Sequence, residues 1–182
     1  MPQPEAARPP CARRPPEPGG LAANSTVNLA TMFPRTLVAP RTAFFLFGPR
    51  GTGKSTWIEA TLPSPHVVDL LPPEAMLRFE RSPAQFRAEV LAQPADRWVV
   101  VDEIQRVPKL LDEVHFLMER AGYKKFALTG SSARKLKRGA ANLLAGRAIV
   151  RNLFPLTTRE LGGQVAIPQL LQFGSLPLSV TA

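Results

Sequence analysis

Residues 42–56 read TAFFLFGPRGTGKST, and this stretch decides the fold. Thr42–Phe47 is a continuous apolar run, which is typical of a strand buried on both faces. The next eight residues, Gly48–Ser55, fit the pattern G-x-x-x-x-G-K-[ST], and a helix is predicted from Gly53 to about Ala60. A strand, a glycine-rich loop and a helix in this order predict a phosphate-binding loop.

The residue types in this loop suit an anion. Glycines at 48, 51 and 53 let the backbone curl so that successive amide protons point inward, and the helix dipole adds positive potential. Lys54 supplies a mobile charge for the β- and γ-phosphates, and the Ser55 hydroxyl can bind Mg²⁺. We expect nucleotide contacts along the whole segment, which comprises Gly48, Pro49, Arg50, Gly51, Thr52, Gly53, Lys54, Ser55 and Thr56.

Outside the loop, short apolar runs alternate with helical stretches. Four further strands, also expected to be buried on both faces, are predicted at 66–70, 97–101, 125–129 and 148–154. Ser82, Pro83 and Gln85 predict a helix start with a capping box, and a second helix is predicted from Pro108 to Gly122. Five strands alternating with helices predict an α/β fold, with a central parallel sheet covered on both sides.

A second acidic site follows the strand predicted at 97–101. Asp102 and Glu103 come directly after an apolar run, where a carboxylate is costly unless a cation faces it. Asp102 beside a magnesium nucleotide removes that cost, and Glu103 could polarise an attacking water. The competing interpretation is a solvated pair with Asp102 near Arg106. The guanine-reading pattern N-K-x-D does not occur, which favours ATP as the nucleotide and water as the acceptor.

Composition bounds the class of protein. The chain has 182 residues, 45% of them hydrophobic, and a single cysteine, Cys11, so an intrachain disulfide is excluded. The sequence has no apolar run near the roughly 18–20 residues of a membrane span. These features predict a cytoplasmic protein without a membrane segment. We expect residues 1–31 to be a disordered leader rich in proline and arginine, ahead of a core domain over residues 33–160.

The net charge of +9 arises from the last third of the chain. Residues 120–182 contain ten basic side chains and one acidic side chain, Glu160. One interpretation is a nucleic-acid contact through segment 134–151. The interpretation we favour is a solvated face and an interface with another copy, whose Glu113 and Glu119 would supply the acidic partners. This second interpretation implies a homo-oligomer.

Four segments together resemble one known family: GPRGTGKST, VVVDEIQRVP, LTGSSARKL with LLAGR, and FPLTTREL. They resemble bacterial and archaeal AAA+ ATPases whose ATPase core precedes a C-terminal domain of unknown function, over about residues 33–178. The resemblance implies a P-loop NTPase three-layer sandwich with strand order 5-1-4-3-2 and with ATP and Mg²⁺ as ligands. Residues 48–56 would be the Walker A motif, and Asp102 with Glu103 the Walker B motif.

The resemblance also implies a sensor and an arginine finger. Ser131 would sense the γ-phosphate, with Thr129 and Ser132 as alternatives, and Arg147 would reach the nucleotide of a neighbouring copy. Relatives continue for about as many residues again, so we expect residues 161–182 to be the truncated start of the C-terminal region, with the lid largely absent.

The predicted function is magnesium-dependent ATP hydrolysis coupled to conformational change, with Lys54, Glu103, Ser131 and Arg147 as catalytic residues and Ser55 with Asp102 as metal ligands. Two alternatives stay open. One is a nucleotide-dependent DNA-binding or interaction module with little catalysis, and the other is an inert ATPase fragment.

Overall fold

A computed structural model describes residues 33–131, residue 136 and residues 144–181. Its strands are β1 (Phe44–Phe47), β2 (His66–Asp69), β3 (Val99–Asp102), β4 (Phe126–Gly130) and β5 (Ile149–Asn152). All four strand pairings are parallel, in the order β2-β3-β4-β1-β5. This order is 5-1-4-3-2 when it is counted from the other edge, so the predicted fold class and topology are confirmed.

Helices follow the strands as the alternation predicts. They are α1 (Lys54–Thr61), α2 (Pro73–Arg81), α3 (Pro83–Leu91), α4 (Leu110–Arg120), α5 (Thr158–Leu161), α6 (Ile167–Phe173) and α7 (Pro177–Thr181), with 3₁₀ turns at Ile104–Arg106 and Leu144–Gly146. In α4 the buried residues Leu110, Val114 and Leu117 recur at three- and four-residue steps. Gly122 follows with a φ of 73°, which suits a glycine just beyond a helix end.

The core occupies both faces of the sheet because the side chains of β1 alternate between them. Phe45 and Phe47 join the cluster under α2 to α4, whereas Phe44 and Leu46 join the cluster under α1. The prediction of burial on both faces holds for β1, β3 and β4. It fails for β2 and for β5, whose four residues are all exposed. Both are edge strands of this sheet, and the core packs over the central strands.

The predicted capping box at the start of α3 does not form. The Ser82 side chain makes no capping hydrogen bond, and the Gln85 amide instead donates to the Ser82 carbonyl across 3.1 Å. A capping box is present at α5, where the Thr157 hydroxyl accepts from the Glu160 amide and the Glu160 carboxylate accepts from the Thr157 amide across 3.0 Å. Its glutamate has further partners that bear on the candidate site.

Parallel pairing brings the carboxyl ends of β1, β3 and β4 to one edge of the sheet. Phe47 lies opposite Gly130, and the Gly48 amide donates to the Gly130 carbonyl across 3.3 Å. In sheets of this kind, ligands bind beyond the carboxyl ends of the strands. Every helix in the described part of the chain is too short or too polar to cross a membrane. The leader expected at residues 1–31 lies outside the described residues.

Candidate active site

A cavity of about 900 Å³ lies at the carboxyl ends of the central strands. Ten of the residues singled out in the sequence line it: Arg50, Gly51, Thr52, Gly53, Lys54, Ser55, Thr56, Asp102, Glu103 and Ser131. The glycine-rich loop and the acidic pair, about 50 positions apart in the chain, therefore face the same space. The alternative interpretation places Asp102 near Arg106. Arg106 lines the same cavity, but it donates to the Leu71 carbonyl across 3.0 Å, and the hydrogen-bond partners of Asp102 are other residues.

The loop geometry depends on its glycines in two ways. Gly51 and Gly53 both have a φ of 84°, in the left-handed region that glycine adopts without a steric penalty. Gly48 is needed for a close approach, because a Cβ there would lie 2.2 Å from the Leu153 carbonyl oxygen. The Leu153 amide in turn donates to the Phe47 carbonyl across 2.7 Å, so backbone contacts hold the chain that follows β5 against this loop.

Lys54 is buried at the start of α1 and bonds to its own loop. Its Nζ donates to the carbonyls of Gly48 (2.8 Å) and Pro49 (3.1 Å). Burial lowers the pKa of Lys54, and the negative charges of Glu103 and then Asp102 oppose this effect. The ammonium group thus contacts the loop carbonyls and belongs to a side chain that lines the same cavity as the acidic pair.

Ser55 and Asp102 bring two oxygens together. Ser55 Oγ donates to Asp102 Oδ2 across 3.4 Å. The other oxygen of Asp102 accepts from the Thr129 hydroxyl and from the Glu103 amide, the latter across 3.1 Å. One carboxylate oxygen is thus fixed by the protein, and the second is shared with a hydroxyl that can turn away. Hydroxyl and carboxylate oxygens are the donors that Mg²⁺ prefers.

Glu103 has a backbone conformation that is unusual for a side chain with a Cβ. Its φ of 58° and ψ of 44° are left-handed, which costs about 1–2 kcal/mol. Its amide donates to Asp102 Oδ1 and to the Thr129 hydroxyl oxygen, the latter across 3.2 Å, which holds this conformation. Strained residues of this kind concentrate at functional sites. The carboxylate accepts a hydrogen bond from the Gln105 side chain.

The three candidate sensor residues are placed differently. Thr129 is fully buried at the end of β4, and its hydroxyl is engaged by Asp102 and Glu103. Ser131 lines the cavity one residue beyond the strand. Ser132 lies outside the described residues. Of the two described candidates, Ser131 is therefore the one that faces the space where a phosphate would bind.

Arg147 does not line the cavity formed by the described residues. It is exposed beyond the second 3₁₀ turn, and its Nε pairs with Glu119 of α4. Glu113 likewise pairs with Arg87 across 2.7 Å. The two acidic residues expected to serve another copy therefore have partners within this chain. Half of the basic segment 134–151, including Arg134, Lys135, Lys137 and Arg138, lies outside the described residues.

Sequence reasoning missed a buried ion pair beside the loop. Arg35 donates to Glu160 across 3.1 Å, and their side chains are only 9% and 5% exposed. Arg35 also donates to the carbonyls of Thr52, in the loop, and of Phe154. Glu160 is the only acidic residue of segment 120–182, and the T-x-x-E pattern at 157–160 predicts a helix cap there, but neither signal indicates Arg35 as its partner. Arg35 carries no local pattern.

Glu160 is held as an anion by several donors. Burial alone would raise its pKa, but hydrogen bonds from the Thr157 and Thr36 amides, and then the charge of Arg35, bring the pKa below its usual value. Burial also lowers the pKa of Arg35, against the charge of Glu160. The pair therefore joins the segment before β1, the glycine-rich loop and the segment after β5.

The cavity also has an apolar wall. Phe33, Leu156, Pro177 and Leu178 line it, and they come from before β1 and from after β5. Leu176 lies 3.8 Å from the position of a Cβ on Gly51. The C-terminal segment thus folds back over the loop, which composition alone did not indicate.

The donor set for a metal ion is small. The described residues contain no group of three or more histidine, cysteine, aspartate or glutamate side chains that could hold an ion. A cation at Ser55 and Asp102 would need further oxygens from phosphate and water. Mg²⁺ is commonly bound in this way.

Comparison with known proteins agrees with this architecture. No curated protein sequence matches the chain significantly. Among solved structures, a Walker-type ATPase of Pyrococcus abyssi matches with a TM-score of 0.50 at 17% identity. The match covers 74% of this chain and 59% of the chain of that ATPase. The replication initiator DnaA, bound to AMPPCP and single-stranded DNA, has a TM-score of 0.52 at 15% identity, covering 80% of this chain and 55% of its own.

At such identities the likeness concerns the fold, and the present chain spans under two thirds of the length of either structure. The model of one family, described as an AAA domain, matches residues 40–162, which is more than half of the chain and includes the loop and the acidic pair. The chain belongs to the AAA domain family.

Proposed function

We propose that this chain binds ATP with Mg²⁺ and hydrolyses it to ADP and phosphate. The observation that carries the proposal is the convergence of Lys54, Ser55, Asp102 and Glu103 on one cavity. Each side chain belongs to a pattern that predicts a separate part of phosphate chemistry, and the fold brings the parts within reach of one ligand.

Binding would be the task of the loop 48–56. Its backbone amides and the N-terminus of α1 suit the phosphates, and Lys54 would exchange its carbonyl partners Gly48 and Pro49 for phosphate oxygens. The apolar wall of Phe33, Leu156, Pro177 and Leu178 would leave the base in a less polar part of the cavity. Membership in the AAA domain family supports this assignment.

Ser55 and Asp102 would hold the magnesium ion. When bound, Mg²⁺ neutralises charge on the β- and γ-phosphates. The 3.4 Å contact between Ser55 Oγ and Asp102 Oδ2 supports this role because the two oxygens can both turn to one cation. The bonds from Thr129 and from the Glu103 amide fix the other oxygen of Asp102, and so restrict how its carboxylate can rotate.

Glu103 would act as the general base. It takes a proton from water as the water oxygen forms a bond to the γ-phosphorus. The bond from the γ-phosphorus to the bridging oxygen breaks, and ADP leaves with the electron pair. The proton passes from Glu103 to the phosphate product, which restores the carboxylate. The acidic pair at the end of β3 and the charge of Lys54 beside it support this arrangement.

Ser131 and Arg147 would complete the site. Ser131 would hydrogen-bond the γ-phosphate or the water, and its place on the cavity lining supports this. Arg147 would act on the nucleotide of a neighbouring copy, because it is exposed at the surface, paired with Glu119, and does not line the cavity formed by the described residues of its own chain. This role requires a homo-oligomer in which Arg147 exchanges Glu119 for the neighbour's phosphate.

Coupling to conformational change would involve the C-terminal segment. Pro177 and Leu178 line the same cavity as Lys54, so a ligand that fills the cavity would contact them. A DNA-binding role through segment 134–151 stays a prediction of the sequence alone. A steep salt dependence of duplex DNA binding that is lost on charge reversal of Lys135 and Lys137 would support it.

Calorimetry with Mg-ATP tests the proposal. We expect binding by the wild-type chain, loss of binding in Lys54→Ala, and unchanged binding in the control Lys124→Ala, which alters an exposed lysine in the loop before β4. Glu103→Gln should bind ATP and stop turnover in a phosphate-release assay. Absence of binding heat with the wild-type chain contradicts nucleotide binding. Equal binding heat with Lys54→Ala contradicts binding through Lys54. Normal turnover by Glu103→Gln contradicts the role of Glu103 as the general base.

A further inference from the structure

Gln105 makes a contact with Glu103 that the roles proposed above do not use. It lies in the 3₁₀ turn Ile104–Arg106, and both side chains line the cavity. Gln105 Nε2 donates a hydrogen bond to Glu103 Oε2. A carboxylate accepts hydrogen bonds and has none to donate, so the amide must present its nitrogen to Glu103. The orientation of the carboxamide is therefore fixed by the chemistry of its neighbour.

This orientation leaves the amide oxygen without a donor. Gln105 Oε1 is buried and has no hydrogen-bond partner among the described residues. It lies against Gly130 at the end of β4, where an added Cβ would be 2.5 Å away. Glycine at 130 thus makes room for the amide. A buried acceptor without a donor destabilises a fold, so glutamine is a poor choice for a residue whose task is only to stabilise this turn.

The backbone of Glu103 is fixed independently of Gln105. Its amide bonds to Asp102 and Thr129, which leaves only the side-chain torsions of Glu103 to be set. The bond from Gln105 Nε2 sets them, since it holds one of the two carboxylate oxygens. The other oxygen carries no hydrogen bond from the described residues, so it is available for a proton.

We propose that Gln105 is a positioning residue for Glu103: it holds one carboxylate oxygen so that the other can take the proton of the attacking water. This inference rests on the proposed ATPase function. It predicts that the amide nitrogen serves turnover and contributes little to nucleotide affinity, because Gln105 acts on Glu103 and the phosphates are bound by the loop. It also predicts a stability cost from the unpartnered oxygen.

The test compares Gln105→Met with Gln93→Met in the full chain. Methionine keeps the length of glutamine and removes both the NH₂ donor and the carbonyl acceptor of the amide. Gln93 is also half-buried and hydrogen-bonded, accepting from Arg97 across 2.8 Å, but it lies outside the cavity lining. Turnover and KM with Mg-ATP, the Kd by calorimetry and the melting temperature are measured for each. Gln105→Glu is added because a second carboxylate would repel Glu103.

We expect kcat of Gln105→Met to fall about 10- to 100-fold, as for a misplaced catalytic group. KM and Kd should stay within about threefold, and Tm should be unchanged or higher, since the unpartnered oxygen is gone. Gln105→Glu should lose at least as much turnover, and Gln93→Met should match wild type in kcat.

Two outcomes overturn the inference alone. One is a kcat of Gln105→Met within twofold of wild type. The other is a lower kcat together with a clearly weaker ATP affinity and a lower Tm, which marks a structural role. A wild-type chain that neither binds nor hydrolyses Mg-ATP overturns the proposed function and this inference together. The wild-type measurement therefore distinguishes the two failures.

Discussion

Ser55 Oγ lies 3.4 Å from Asp102 Oδ2, although 47 positions separate the two residues in the chain. The contact joins the first turn of α1 to the end of β3. It depends on the sheet order, because only one strand, β4, lies between β1 and β3. Neither residue alone would indicate a metal ion, but together they supply two oxygens at the mouth of the phosphate-binding loop.

The first prediction concerns metal dependence. In the wild-type chain, removal of Mg²⁺ with EDTA should weaken ATP affinity at least tenfold. In Asp102→Asn the ratio of affinities with and without Mg²⁺ should shrink to about threefold or less, because the amide lacks the negative charge. Asp96→Asn, at an exposed position, is the control. Calorimetry gives the affinities, and an unchanged ratio in Asp102→Asn would refute the assignment.

The second prediction separates Thr129 from Ser131. Thr129→Val removes the hydroxyl that bonds to both Asp102 and the Glu103 amide, so the free energy of unfolding should fall by about 1–3 kcal/mol. Ser131→Ala should leave stability within about 0.5 kcal/mol and lower kcat. Urea unfolding and phosphate release measure the two effects. If Ser131→Ala turns over normally, Ser131 is not the sensor.

The third prediction concerns Arg147. If it acts on a neighbouring copy, turnover per subunit should rise with protein concentration, and Arg147→Ala should lower kcat by about 10³-fold or more without loss of ATP affinity. Arg120→Ala, at the exposed end of α4, should behave as wild type. Turnover measured over a wide range of protein concentration checks this, and a flat dependence in wild type would remove the role.

The fourth prediction follows from Glu160. Its pKa is lower in the folded chain than in the unfolded chain, so the carboxylate stabilises the fold above the usual pKa of a glutamate. That contribution is lost as pH falls through the lower pKa of the folded state. Glu160→Gln should be less stable than wild type by about 3 kcal/mol at pH 7, because Arg35 stays buried without its charge partner.

The difference in stability between wild type and Glu160→Gln should narrow as the pH is lowered below the usual glutamate range. Urea unfolding of both proteins from pH 7 to pH 3 measures it. Glu119→Gln, which changes an exposed glutamate, serves as the control. A difference that stays constant over the whole range would mean that the charge of Glu160 does not stabilise the fold.

The sheet could be predicted from the sequence because its signals are local. The apolar run before Gly48 and the run before Asp102 each specify a buried strand, and the glycine pattern specifies the loop between β1 and α1. The order of the strands came from the resemblance. Periodicity could not reveal that β2 would be partly exposed and β5 fully exposed, since a strand at the edge of a sheet can carry the same apolar residues as a central one.

The parts of the site that escaped prediction depend on long-range contacts. Arg35 and Glu160 are 125 positions apart, and nothing near Arg35 distinguishes it from a surface arginine. Thr129 and Ser131 are equally polar in sequence, and only the registration of β4 beside β3 places the hydroxyl of Thr129 against Asp102. The pairing of Arg147 with Glu119 likewise arises from packing that no local pattern encodes.

The Arg35–Glu160 pair also bears on where the autonomous unit begins. The family model starts at residue 40, yet Arg35 and the Thr36 amide supply donors to a carboxylate that is almost completely buried. Phe33 packs with Leu156 and Leu161 in the same corner. A recombinant fragment trimmed to residues 40–162 would retain every recognisable motif, but the Glu160 carboxylate would lose its donors Arg35 and Thr36. Expression trials should therefore place the first residue upstream of Phe33.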